Sequence, residues 1–286
     1  MKITRSVCTN MAFPDTRKNL DAFRRTAEFL AERGIRSMEF YHDGPEAEKT
    51  GAILSGLGMS GVFIGVIPSK EQKLDLCSTD LWQEAARYYC GLMDAAQSAG
   101  IETLMFNSGR LSPEADRQLD ALSEAVAFIH NHADKKGYSF TLVLEPGDSR
   151  MASFQLLGPY PRVLAFCERM AKNQTPVSLT MDSAHSAEEG ENFTEAVRAV
   201  KKYCRHIHFA NCLIRDKTSP LYGDQHVGFD YPDTEWNYEA LKHLKNELDL
   251  LYPEEETLKI ALEYLCREED PYACFDKYWK AMPFLA

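Results

Sequence analysis

Asp182 and His185 stand where an apolar run stops. Residues 175–181, TPVSLTM, are mostly apolar or β-branched, and DSAHS follows directly. A strand that ends in a carboxylate, with an imidazole three residues on, is placing polar chemistry at its C-terminal end rather than finishing a core. Three more runs behave alike. SFTLVLE (139–145) ends in Glu145, HIHFANC (206–212) carries His206 and His208, and LKIALEY (258–264) carries Glu263. Glu145, Asp182, His208 and Glu263 are oxygen and nitrogen donors, a set that suits Mn2+, Mg2+, Co2+ or Zn2+ better than an ion that prefers thiolates. Carboxylates gathered at one point repel each other or take up protons unless a cation joins them. Singly, each residue has an ordinary role. A lone Glu at a strand end is more often a solvated rim residue. His206 and His208 share one strand face, and either could be a hydrogen-bonded core histidine. Recurrence at four successive strand ends is what points to a divalent-metal site.

The elements that must position these groups alternate regularly. Strands are expected at 3–8, 35–41, 61–67, 101–107, 139–145, 177–182, 206–212 and 258–264, each followed by a helical stretch. The first helix reads through KNLDAFRRTAEFLAERG, with Leu20, Phe23, Ala27, Leu30 and Ala31 at helical spacing and Gly34 as its stop. Eight strand–helix units imply parallel pairing and fit a (β/α)8 TIM barrel, a single domain over residues 1–286. A doubly wound sheet would be expected to carry a Gly-rich phosphate turn after an early strand, and SVCTNMAFPD has none. In a barrel, active-site groups sit at the C-terminal strand ends and in the loops beyond. The fourth strand adds Asn107 there, with Arg110 just after it, and the second adds Glu39 and His42. The long irregular stretch 212–236 adds Arg215, Asp224, His226 and Trp236. Loops of that length commonly bind ligands.

The 286 residues include 44% hydrophobic ones and carry a formal net charge of −11. That balance opposes binding to a phosphate backbone, so no nucleic-acid partner is expected. The start, MKITRSVCTN, lacks the apolar stretch of a secretory signal, and no run of about 18 apolar residues suggests a membrane span. Eight cysteines form no C-x-x-C pair, and a reduced, cytoplasmic setting follows.

The segments LEPG, MDSAH, HIHFAN and ALEY, in this order, closely resemble the xylose isomerase-like barrel superfamily. It includes ketose 3-epimerases, hydroxypyruvate isomerase, inosose dehydratase and the endonuclease IV type of repair enzyme. The resemblance spans the chain by element order. It implies that Glu145, Asp182, His208 and Glu263 bind the metal, Mn2+ first, with Mg2+, Co2+ or Zn2+ as alternatives. It implies a sugar isomerase or epimerase that moves a proton next to a carbonyl through a metal-stabilised enediolate, with Glu145 and Glu263 as base and acid. His185 and Arg215 would hold substrate oxygens, and Asn107 would join them. Trp236, Phe40, Phe106 and Tyr264 could lie against the sugar's C–H face, though each could equally be an ordinary core or rim aromatic.

The same resemblance leaves rivals. A lyase or dehydratase acting on a keto-inositol or keto-glycoside would form the same enolate, with Asp224 or His226 as the extra acid. Cleavage of C-glycosides would bring in a small partner subunit. In the repair-nuclease branch, His185, Asp224 and His226 would bind a second ion. That branch also needs histidines near earlier strand ends, where this chain has Ile67-Pro68 and Asn107, with His42 as the nearest substitute, so its three-metal site looks broken. Analogy with sugar-processing barrels implies a homo-oligomer, dimer or tetramer.

Overall fold

A computed structural model of the chain describes residues 1–17, 19–41, 47–65 and 75–285. Eight parallel strands close into a barrel in sequence order, with β8 completing it against β1. The strands are β1 (Lys2–Cys8), β2 (Ser37–Tyr41), β3 (Ser60–Ile64), β4 (Thr103–Asn107), β5 (Thr141–Glu145), β6 (Ser178–Asp182), β7 (Cys204–Ala210) and β8 (Thr257–Glu263). The helices are α1 (Thr9–Ala12), α2 (Leu20–Glu32), α3 (Ala47–Gly56), α4 (Trp82–Ser98), α5 (Ala115–Lys136), α6 (Tyr160–Lys172), α7 (Ser183–Glu189), α8 (Phe193–Val200), α9 (Tyr238–Leu251) and α10 (Pro271–Ala281). This is the expected (β/α)8 barrel. Among the described residues no helix is long and apolar enough to cross a membrane.

Alternation along the strands sorts side chains into two layers. Phe40, Phe106, Leu144, Phe209 and Leu262 belong to the large apolar core that includes the surrounding helices. Phe40 meets Phe23 of α2 at 4.9 Å between ring centroids, and Phe106 meets Tyr89 of α4 at 6.4 Å. The barrel interior holds a separate small apolar cluster, Val62, Ile64, Met105 and Val143, with Tyr41 against it. The rest of the interior around β2, β6 and β7 is polar. Glu39, Thr180, His206 and His208 are all buried there and bonded to one another.

Two local devices set the geometry of the β6 and β7 ends. Leu179 pairs with Cys204 but Thr180 pairs with His206, so β7 carries one extra residue, Arg205, at a bulge. Beyond the bulge Asp182 lies beside His208 in register. Bulges next to functional sites re-aim side chains in this way. Just past β6, the Ser183 hydroxyl donates to Ala210 O at 2.7 Å and accepts from Ala210 N at 3.0 Å, clamping the tips of β6 and β7 together.

The strand of 206–212 expected from sequence begins instead at Cys204 and ends at Ala210. Asn211 leaves the ladder because its side chain organises the following loop. Its amide donates to Gly228 O and Thr234 Oγ1, and its Oδ1 accepts from the Trp236 backbone. His185, three residues past the end of β6, lies in the short helix α7. The expected third strand reached Ile67, but β3 stops at Ile64; Ile67, Pro68 and His42 lie outside the described residues. Because Ser183 is fully buried, Ser183→Ala is expected to lower the unfolding free energy by about 2 kcal/mol by stripping two buried backbone groups of a partner. An unchanged denaturation midpoint would show that the clamp contributes nothing.

Candidate metal centre at the barrel mouth

Asp182 is at once the last residue of β6 and the N-cap of α7. Its Oδ1 accepts the His185 backbone N–H at 2.9 Å. A capping side chain reaches the amide two or three residues on, so the D-x-x-H spacing is that of a capped helix start. One oxygen is thereby used for folding. The other, Oδ2, is buried and has no hydrogen-bond partner.

That oxygen faces a group of similar atoms. His208 Nδ1 lies 2.7 Å from Glu145 Oε1, 2.5 Å from Glu263 Oε2 and 3.7 Å from Asp182 Oδ2. All four atoms are buried, and none makes a contact with hydrogen-bond geometry. They sit close without pointing at each other as donor and acceptor. Side chains converging on a common point produce that pattern, and a shared cation resolves it. Glu145, Asp182, His208 and Glu263 thus form a compact candidate ligand set, with donor atoms within 4.8 Å of one another.

The other nitrogen of His208 is satisfied. Nε2 is 3.0 Å from Glu39 Oε2, and Glu39 Oε1 is 2.8 Å from His206 Nε2. His206 Nδ1 in turn is 2.8 Å from Thr180 Oγ1. The two adjacent histidines therefore divide their tasks: His206 stays inside the hydrogen-bonded core, and His208 turns a free nitrogen to the mouth.

Electrostatics favour positive charge here. Burial and Glu263 push Asp182 up to about 6. Burial also works against ionising Glu263, but His208, His226 and His185 outweigh it and bring that carboxyl down to about 2. Burial disfavours a charged His208, yet Cys8, Glu263, Glu145 and Glu39 together raise its pKa well above the usual imidazole range. A proton on His208 supplies the positive charge that a divalent ion would supply more fully.

A second group adjoins the first. His185, Asp224 and His226 also bring donor atoms within 4.8 Å of one another. His226 Nε2 is 3.2 Å from Asp224 Oδ1 and 3.8 Å from Glu263 Oε1. His185 Nδ1 faces Glu188 Oε2 at 3.4 Å along α7, and burial pushes the Glu188 carboxyl up to about 7. Asp224 Oδ1 and His226 Nδ1 are buried and have no partner in hydrogen-bond geometry.

The remaining candidates divide. Asn107 stands beside Glu145 in register and its amide donates to Glu145 O at 3.1 Å, which keeps it at the mouth. Arg215 does not join the cluster: its side chain is 68% exposed and paired with Glu235 at 2.8 Å. Trp236 donates its indole N–H to Ser183 O and packs edge-on to Phe193, so its contacts brace the long loop against β6 and α8. Phe40 and Phe106 face the helix layer. Tyr264 does likewise, buried against Phe229 and Tyr278. Three groups beside the two clusters carry no sequence-based expectation, Cys8 (3.9 Å from His208 Nε2), Tyr41 and Glu188, and Glu39, expected at the mouth, had no role given to it. The E-F-Y alternation in β2 could have revealed that Glu39 and Tyr41, not Phe40, face the interior.

A model of the xylose isomerase-like TIM barrel family matches residues 27–245. The chain belongs to that family. No curated protein matches it by sequence. Among solved structures it is similar to 3-keto-D-glucoside 4-epimerase from E. coli, at 17% identity and a TM-score of 0.66, over 100% of this chain and 98% of that one. D-psicose 3-epimerase from Clostridium cellulolyticum H10 aligns at 13% identity and a TM-score of 0.68, over 99% of both chains. A protein described as a 3-DHS dehydratase of petrobactin synthesis from Bacillus anthracis aligns at 13% identity and a TM-score of 0.65, over 99% and 98%. At these identities the likeness is one of fold.

Two outcomes follow from this geometry. Asp182→Asn keeps an oxygen for the α7 cap but removes the ligand charge, so divalent-ion affinity should fall at least about tenfold while the apoprotein's melting temperature barely changes; Asp182→Ala should also lose about 1 kcal/mol of stability. Equal affinity in Asp182→Asn would remove Asp182 from the ligand set. Because ion binding requires His208 Nδ1 to shed its proton, binding should release protons and weaken as pH falls from about 8 to about 5. Calorimetry in buffers of different ionisation enthalpy measures this, and a pH-independent affinity would contradict it.

Proposed function

We propose that this chain is a divalent-metal-dependent sugar isomerase or epimerase that moves a proton next to a carbonyl. The observation that carries this reading is the convergence of Glu145 Oε1, Asp182 Oδ2, His208 Nδ1 and Glu263 Oε2, four buried atoms with no hydrogen-bond partner at the barrel mouth. An ion held there would stabilise negative charge developing on the substrate's oxygens as a Lewis acid. Oxygen and nitrogen ligands suit Mn2+ first, with Mg2+, Co2+ and Zn2+ as alternatives. The epimerases among the solved structures of similar fold are compatible with reading the chain as an epimerase.

The side chains differ in reach. Asp182 is 1% and His208 0% exposed, whereas Glu145 and Glu263 are each 8% exposed. The first two are therefore cast as ligands only. Glu145 on β5 and Glu263 on β8 both approach His208 Nδ1, from separate strands. From those positions one carboxylate takes the proton from the carbon beside the carbonyl, and the other delivers one to the opposite face. His185, with Nδ1 turned to Glu188, has Nε2 left for a substrate hydroxyl, and Asn107 lines the mouth beside Glu145.

A second ion at His185, Asp224 and His226 is the alternative supported by a specific observation, their convergence with orphaned Asp224 and His226 atoms. It would make His185 a ligand. Elimination is the other rival chemistry, with Asp224 or His226 protonating a leaving group, and the dehydratase fold among the similar structures is compatible with it. Mass-spectrometric metal counting separates one ion per chain from two.

A panel of ketoses, keto-inositols and 3-keto-glycosides incubated with Mn2+ in D2O tests the reaction class by NMR. Deuterium entering one carbon beside the carbonyl, with no group lost, is the expected result; loss of water or an aglycone would assign the chain to lyases. In the same assay Glu145→Gln should reduce kcat by about 100-fold or more with little change in KM. A fully active Glu145→Gln enzyme removes Glu145 from the proton transfer.

A further inference from the structure

We propose that Glu39 is the positioning residue of the centre, fixing His208 with its proton on Nε2 and its Nδ1 lone pair turned to the mouth. This rests on reading the mouth as a metal centre. Glu39 is on β2, which supplies none of the four candidate ligands, and it is fully buried in the barrel interior. It has no solvent role to fall back on. A buried carboxylate costs several kcal/mol unless partnered, and an apolar side chain would fill a barrel interior at less expense.

The proton pattern of the interior follows from what each group can do. An ionised carboxylate only accepts hydrogen bonds, and a neutral imidazole has one N–H and one lone pair. Glu39 Oε2 faces His208 Nε2 at 3.0 Å and Oε1 faces His206 Nε2 at 2.8 Å. Both histidines must then carry their proton on Nε2. For His206 this leaves Nδ1 as an acceptor, and the Thr180 hydroxyl at 2.8 Å is the matching donor. For His208 it leaves Nδ1 as the nitrogen that offers its lone pair to an ion among Glu145, Asp182 and Glu263 once its proton is shed. Cys8 Sγ, 3.9 Å from the same Nε2, does not compete, because a thiol is a weak acceptor beside a carboxylate.

His206 and Thr180 give the arrangement its rigidity. His206 occupies the second oxygen of Glu39 and Thr180 holds the far side of the His206 ring, so the carboxylate cannot rotate away from His208 without leaving His206 Nε2 buried and unpaired. The β6–β7 bulge holds Thr180 opposite His206 and Asp182 opposite His208 in one register. A single strand pair thus carries both the anchor of the network and two of the ligands.

The test measures binding by the full-length chain, independently of turnover. Co2+ titrations are followed by visible absorption and calorimetry for the wild type, Glu39→Gln and Glu39→Asp, each at a temperature where the protein is fully folded. Wild type is expected to bind Co2+, with both variants binding about 10- to 100-fold more weakly and Glu39→Gln showing an altered Co2+ spectrum. Binding within twofold of wild type, with the same spectrum, overturns the proposal. Should the variants fail to fold, 15N–1H imidazole spectra of Zn2+-loaded wild type decide: a proton on His208 Nε2 supports it and a proton on Nδ1 overturns it. Wild-type protein that binds neither ion overturns the metal-centre reading itself, which weakened binding in the variants alone would not.

Discussion

His208 carries the main constraint of the barrel interior. One of its nitrogens lies 3.0 Å from a buried glutamate across the barrel, and the other lies among three carboxylates at the mouth. Both sides are anionic, and both are shielded from water. Such a concentration of carboxylates is stable only if cations or hydrogen-bond donors are interleaved among them. His206 and Thr180 meet that need on the inner side. On the outer side, among the described residues, the cations that the chain itself offers near the centre are protonated imidazoles, His208 first and then His226 and His185, and the geometry of the four outward atoms suits an ion better than hydrogen bonds.

The fold is arranged around this requirement at several levels. The bulge in β7 sets His206 and His208 against Thr180 and Asp182. Ser183 ties the tips of β6 and β7. Asp182 splits its oxygens between a helix cap and the centre, so the start of α7 and the placement of a ligand are the same event. His185 is carried into position by that helix, with Glu188 one turn further on, and meets Asp224 and His226 from the long loop. Asn211 and Trp236 brace that loop from below.

Much of this was legible in the sequence because strand ends are marked by composition. Strand-like runs that end at Glu145, Asp182 and Glu263, or carry His208 two residues before the end of β7, place those residues at one rim once eight alternating units imply a barrel. Closure of the barrel and family membership accord with that reading. What escaped was information carried by alternation and by long-range pairing. Phe40 and Phe106 were weighed as sugar contacts although each is next to an inward-facing residue and so must face the helices. Glu39 lies 169 positions from His208, and nothing local to EFY announces its partner. Arg215 illustrates the limit of spacing arguments in loops: an arginine seven residues past His208 can be turned outward by a single nearby carboxylate, here Glu235. The end of β7 at Ala210, short of the expected Cys212, goes with the side chain of Asn211, whose loop partners are 17 and 23 residues on.

The account stands on convergence of four side chains on one ion. Anomalous diffraction from crystals of the protein grown with Mn2+ tests it most directly. The predicted result is a strong manganese peak bonded to Glu145, Asp182, His208 Nδ1 and Glu263, at about 2.1–2.3 Å from each donor atom. A manganese-saturated crystal with no peak among these residues, or with His208 ligating through Nε2, would contradict it.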